Sequence, residues 1–246
     1  MIILGDIGNT ETKICLVSQN FKIVKRIIIP SKLEFKDLNK YLNIIDFKKV
    51  NKILFCSVVP STFKKFKKLF KRKTKIKCYE LKDLNIKSIL KIDVNFKQVG
   101  SDRLANAISL ANKKKNFIIL DFGTATTFDV LIGNNYKGGI ISPGIKLSLN
   151  TLSDKASLIP KIDLKKMSKV IGKDTTSAVR SGFFWGYAGL IDNVINLIKK
   201  ETKKKSFNIV FTGGFSDLFK NSVKTKAKYD IDITIKGLIK SLKLIK

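Results

Sequence analysis

Alternating apolar and polar positions rich in β-branched residues open the chain, so residues 2–7, 12–18 and 22–29 read as three successive strands in an antiparallel meander. Apolar residues then recur at helical spacing over 35–45. A short continuous apolar run at 53–59 reads as a buried strand, a second helix starts at Ser61, and a brief strand lies near 76–81. After a helix over 102–112 the pattern begins again: strands at 117–121, 127–132 and 138–141, helices at 147–155 and 176–200, a strand at 207–211 and a final helix at 233–245. The β-rich opening therefore occurs twice.

The repeat is visible residue by residue. Ile3-Leu4-Gly5-Asp6-Ile7-Gly8-Asn9-Thr10 matches Ile118-Ile119-Leu120-Asp121-Phe122-Gly123-Thr124-Ala125, each a strand, then D-x-G, then an amide or hydroxyl. One similarity at a single separation of about 115 residues indicates a duplicated domain, since a solenoid repeats at several short periods. The expectation is an α/β protein of two like lobes, residues 1–114 and 115–246, each of βββαβα type with a cleft between them.

Composition narrows the chemistry. The 246 residues include no histidine, which excludes Ser-His-Asp hydrolysis, Cys-His proteolysis, His-ligated zinc and histidine phosphotransfer. Cys15, Cys56 and Cys78 stand at wide spacing in apolar runs and read as buried thiols of a reducing compartment. The amino terminus lacks the basic start and long apolar stretch of a signal peptide, and lysines interrupt every hydrophobic segment, so a cytoplasmic protein with no membrane span is expected. The net charge is +30, yet only four of the 49 cations are arginine, the side chain suited to bidentate phosphate and base recognition. Lysine, isoleucine and asparagine abound together, as AT-rich codons would supply, and the charge is read as solvated surface. Residues 64–77 are the local exception, nine cations on one helix and its exit, with Phe63, Phe66 and Phe70 inward. No aromatic RNA motif or zinc spacing accompanies them, so no specific nucleic-acid partner is expected.

A D-x-G-N-T turn at a strand end has a physical rationale. Glycine lets the backbone approach an anion, N–H groups and the Asn and Thr side chains bond phosphate oxygens, and the carboxylate makes sense beside a bound cation. Gly100-Ser101-Asp102-Arg103 places glycine, hydroxyl, carboxylate and guanidinium at a helix start. Ser101 or Asp102 there serves either as an N-cap or, in Asp102's case, as a proton acceptor beside an Arg103 anion clamp. Neither a P-loop nor a dinucleotide-binding glycine motif occurs.

Taken in series, D-I-G-N-T at 6–10, G-S-D-R at 100–103, D-F-G-T-A-T-T-F-D at 121–129, S-P-G at 142–144, G-K-D-T-T-S-A-V-R-S-G at 172–182, G-Y-A-G-L at 186–190 and T-G-G at 212–214 resemble the type III pantothenate kinases. That family belongs to the acetate and sugar kinase, Hsp70 and actin superfamily of duplicated ribonuclease H-like domains. The resemblance implies ATP-dependent phosphorylation of pantothenate, the first step toward coenzyme A. By similarity Asp6, Ile7, Gly8, Asn9, Thr10, Glu11, Thr12 and Lys13 form the first phosphate loop, and Thr124 contacts ATP. Asp121 binds the monovalent cation, K⁺ or ammonium, and Asp6 is the carboxylate nearest Mg²⁺. Gly100, Ser101, Asp102, Arg103 and Thr175 hold pantothenate, with Asp102 as general base. A homodimer with pantothenate bound at the subunit interface is implied too. The chain departs from the family's pattern at Asp93 and Phe96, where an aromatic residue and a proline are common, and at Ser101, where alanine is commoner. The competing reading is a nucleotide-binding transcription accessory protein of the same fold that does not turn over pantothenate.

Overall fold

Strand β1 (Ile2–Ile7) is apolar on both faces because it lies inside a sheet, flanked by β2 (Glu11–Val17) and, in parallel, by β4 (Lys52–Ser57). The computed structural model describes residues 1–245 and, within them, every side chain but that of Phe35. With β3 (Ile23–Pro30) antiparallel to β2, and β5 (Cys78–Glu80) parallel to β4, the order is β3-β2-β1-β4-β5. Helices α1 (Phe35–Leu42), α2 (Pro60–Lys73) and α3 (Ser101–Leu110) join this unit, as does the two-residue strand β6 (Lys91–Ile92). In α2, Phe66, Leu69 and Phe70 are buried at helical spacing and Phe63 is half-buried, while Lys64, Lys67 and Lys68 face solvent and the half-buried Lys65 donates to the Leu33 carbonyl at 3.1 Å.

The second unit repeats the plan. Strands β7 (Asn116–Phe122), β8 (Ala125–Ile132), β9 (Asn135–Pro143), β10 (Asn208–Gly213) and β11 (Ala227–Tyr229) run in the order β9-β8-β7-β10-β11. The first two pairings are antiparallel and the last two parallel, as in the first sheet. Helices α4 (Ile145–Lys155) and α5 (Thr175–Glu201) complete it, with Phe184, Ala188, Ile191, Ile195 and Ile198 of α5 forming its buried face.

The chain divides into Met1–Ala111 with Asp232–Lys246, and Asn112–Ile231. Beside the expected halves 1–114 and 115–246, this boundary falls three residues earlier and α6 (Ile233–Ser241) returns to the first unit. Gly237 brings the α6 backbone against the Ala105 carbonyl, an approach that any Cβ would prevent. The Thr234 hydroxyl donates to Asn106 Oδ1 at 2.8 Å, the Lys240 ammonium donates to the Ser109 carbonyl, and Arg26 of β3 forms a two-pronged ion pair with Asp232 at 2.7 and 3.3 Å. Cys15, Cys56 and Cys78 are buried free thiols, as expected. No helix among the described residues is long and apolar enough to cross a membrane.

Candidate active site

Both D-x-G turns close the hairpin at the end of the strand that carries the aspartate, and they differ by one residue. Asp6 pairs with Lys13 across β1–β2 and Asp121 with Thr127 across β7–β8. The Gly8 N–H donates to the Glu11 carbonyl at 3.0 Å, whereas the Gly123 N–H donates to the Ala125 carbonyl at 3.1 Å. The first turn is thus wider, with Asn9, Thr10 and Glu11 exposed at its tip. Ile7 and Thr12 are buried, and Thr12 shares a 2.9 Å hydrogen bond with the Ser31 hydroxyl. Of the expected phosphate loop, these two side chains support the turn from within, and the exposed surface belongs to residues 9–11.

Asp6 faces the neighbouring parallel strand, where the Cys56 thiol donates to its Oδ1 at 3.4 Å. Burial, and then the charge of Asp102, raise the Asp6 carboxyl from 3.8 to about 6, while Cys56 and Lys13 pull it down. Asp6 and Asp102 therefore share one electrostatic neighbourhood in the first unit. Asp102 lies in the first turn of α3, where Gly100 rather than Ser101 or Asp102 takes the N-cap position and no side chain caps the helix. The Asp102 carboxylate folds back over Gly100, into the space a Cβ would fill, and accepts the Arg103 N–H at 2.7 Å. Burial raises its pKa, opposed by that N–H and by the Arg103 guanidinium. Ser101 turns the other way, its hydroxyl donating to Glu80 Oε1. Glu80, missed from the sequence, also accepts the Ser57 N–H at 3.2 Å and the Lys82 N–H. Its only sequence signal is an acid closing a short apolar strand.

In the second unit, Asp121 is in register with Thr212 of β10. Gly213, at φ +85°, passes so close that a Cβ there would lie 2.6 Å from Asp121 Oδ1. Thr124 is exposed on the tighter turn, and Gly144 lies against its carbonyl. Thr175 is the exposed first residue of α5, behind an Asp174 N-cap that forms a reciprocal capping box with Ser177. Asp129 is fully buried and accepts the Tyr136 hydroxyl at 2.5 Å.

Among the described residues no three acids or thiols converge to cage a metal ion. That suits Mg²⁺ held as nucleotide-bound Mg²⁺ usually is, by one or two carboxylates with water and phosphate oxygens completing its shell. Asp6 offers such a single carboxylate beside the exposed turn.

Two sheets of one topology, each with an aspartate ahead of a glycine turn, define the sugar-kinase and actin-like ATPase fold class. Solved structures agree. A structure described as a Baf family transcriptional activator from Campylobacter jejuni is similar with a TM-score of 0.66 at 20% identity, covering 98% of this chain and 97% of that one. A 2-dehydro-3-deoxygalactonokinase structure from Sinorhizobium meliloti is similar with a TM-score of 0.60 at 8% identity, covering 100% and 99%. At such identities the likeness is one of fold. In sequence, residues 2–197 match the type III pantothenate kinase family. The type III pantothenate kinase of Pelagibacter ubique (strain HTCC1062) is 65% identical over 249 residues, covering 100% of both chains. That of Syntrophotalea carbinolica is 32% identical over 248 residues, covering 97% of this chain and 96% of its own. The chain belongs to the type III pantothenate kinase family. Membership in a kinase family carries with it the use of ATP with a divalent metal ion.

Proposed function

We propose that the protein transfers the γ-phosphoryl group of ATP to the primary hydroxyl of pantothenate, with Asp102 as the general base. The observation that carries this reading is the placing of Asp102, half-buried at the start of α3, within electrostatic reach of Asp6 on the phosphate turn. The hydroxyl oxygen of pantothenate attacks the γ-phosphorus, the bond to the β-phosphate bridging oxygen breaks with its electron pair leaving on ADP, and the alcohol proton passes to Asp102. In a loose transition state little bond to the nucleophile has formed, so the proton leaves late and an ordinary carboxylate suffices. Asp102 mainly aims the hydroxyl. Bound Mg²⁺ neutralises charge on the phosphates. Exposed Asn9, Thr10 and Glu11, with Lys13, serve the first phosphate turn, Thr124 contacts ATP, Asp6 is the carboxylate for Mg²⁺ and Asp121 that for K⁺ or ammonium. Gly100, Ser101, Arg103 and Thr175 bind pantothenate, Arg103 as the fork that fits its carboxylate.

The reading extends to a cytoplasmic homodimer with pantothenate bound where subunits meet. Supporting it, large apolar side chains stand exposed in the second unit, among them Ile141, Leu147, Leu158, Val170 and Ile171 at 52–89% of full exposure. A coupled assay of ADP release, with and without pantothenate and in Na⁺ against K⁺, tests the function. Pantothenate-dependent turnover stimulated by K⁺ is expected, and ATP binding without turnover would favour an accessory protein instead.

A further inference from the structure

Glu80 stands where three segments of the first unit meet. Its Oε1 accepts the Ser57 N–H at the end of β4 and the Ser101 hydroxyl at the start of α3, and its Oε2 accepts the Lys82 N–H. Lys82 continues the chain of contacts: its ammonium donates to the carbonyls of Lys97 and Val99 at 3.1 and 3.0 Å, just ahead of Gly100. The G-S-D-R segment is therefore gripped on both sides of its glycine. Capping the short turn at residues 81–83 needs only Oε2. Oε1 is spent on holding β4 and α3 together. A half-buried carboxylate is costly unless donors satisfy it, and here three do.

We propose that Glu80 is a positioning residue for phosphoryl transfer: by anchoring Ser101 to the end of β4, it fixes the first turn of α3 and so the place of Asp102. Because no side chain caps α3, the lateral bond from Ser101 supplies the restraint that a cap would otherwise give. The next residue carries the carboxylate that must meet the hydroxyl. A misplacement of about 1 Å at such a group can cost roughly 100-fold in rate. The inference rests on Asp102 acting as base.

The test compares Glu80→Ala, Ser101→Ala and the double variant in the full-length protein, by steady-state kinetics, thermal unfolding and hydrogen exchange at the Arg103 and Leu104 amides. Glu80→Ala is expected to lower kcat by about 10- to 100-fold with KM for ATP nearly unchanged. Ser101→Ala, which leaves the turn cap intact, is expected to lower kcat by a few-fold at an unchanged melting temperature. The double variant should be no slower than Glu80→Ala, and both amides should exchange faster in either single variant. A Glu80→Ala protein that melts earlier but keeps wild-type kcat would overturn the proposal, as would losses that multiply in the double variant. Should the wild-type protein leave pantothenate untouched, the functional reading falls. The anchor is then judged on amide exchange alone, and unchanged protection in Glu80→Ala overturns it.

Discussion

The Cys56 thiol lies 3.4 Å from Asp6 Oδ1, donated across adjacent parallel strands from the position in register with that aspartate. The second unit sets Thr212 in the same register position beside Asp121. Each half thus backs its aspartate with a small side chain carrying a hydrogen-bond donor. In the first half the donor is a buried thiol whose own pKa burial and the Asp6 charge push well above the ordinary value, which keeps it protonated.

That surrounding fixes the sign of a pH effect. In the metal-free protein, unfolding frees the Asp6 carboxyl from burial, so its pKa falls from about 6 to the ordinary 3.8. Below 3.8 the group is neutral in both states; between 3.8 and about 6 only the unfolded chain ionises, so stability declines as pH rises through that window and levels off above it. Urea unfolding without Mg²⁺ should show this decline, and Asp6→Asn should make it shallower, the remainder coming from the other raised carboxyls, Asp102 and Glu80. With Asp6 as the proposed Mg²⁺ carboxylate, only its ionised form binds the metal, so kcat/KM should rise with pH through the same window.

Asp102→Asn should reduce kcat by about 100- to 10,000-fold, the usual contribution of a positioned base. Its melting temperature should be no lower than wild type, since the amide removes a buried charge of raised pKa beside Asp6. Steady-state kinetics with calorimetry check both. Retained turnover would remove Asp102 from the mechanism.

Gly213→Ala acts on Asp121. The residue needs φ +85° and its Cβ would lie 2.6 Å from Asp121 Oδ1. The left-handed backbone alone costs about 1–2 kcal/mol. With Asp121 as the proposed K⁺ ligand, displacing its carboxylate should weaken or abolish the expected stimulation by K⁺ while some turnover persists, as a K⁺ titration would show.

Gly237→Ala tests the packing of α6 on α3. The added methyl meets the Ala105 carbonyl, and overpacking of that kind costs about 1–3 kcal/mol. Urea denaturation should register the loss. Activity should fall with it, because α3 also carries Asp102.

Much of the fold is legible in the pattern of apolar positions, for identifiable reasons. Strands β1 and β7 sit mid-sheet, so Ile2–Leu4 and Ile118–Leu120 are continuous apolar runs, and the matching D-x-G turns expose the duplication. Strand β11 escapes notice because lysines alternate with small residues around its short span, and its register with β10 is a tertiary fact. The helical spacing in α6 shows that one face is buried and is silent on what buries it. At the candidate site, Asp6, Asp102 and Arg103 announce themselves through motif and rarity. Glu80 does not, since its three donors come from residues 57, 82 and 101 and converge only on folding. The buried roles of Ile7 and Thr12 are likewise decided by which way each strand faces, a matter of one residue of register.

The return of α6 to the first unit has a consequence for biogenesis. Residues 112–231 form a continuous stretch that can close its own sheet as it emerges from the ribosome, whereas the earlier-made unit must wait for residues beyond 231 before the rear of α3 is covered. The lobe translated first is completed last. A nascent chain halted before that final helix would carry every residue of the D-I-G-N-T turn and of the G-S-D-R segment, yet would present them on an unfinished scaffold exposed to chaperones and proteases.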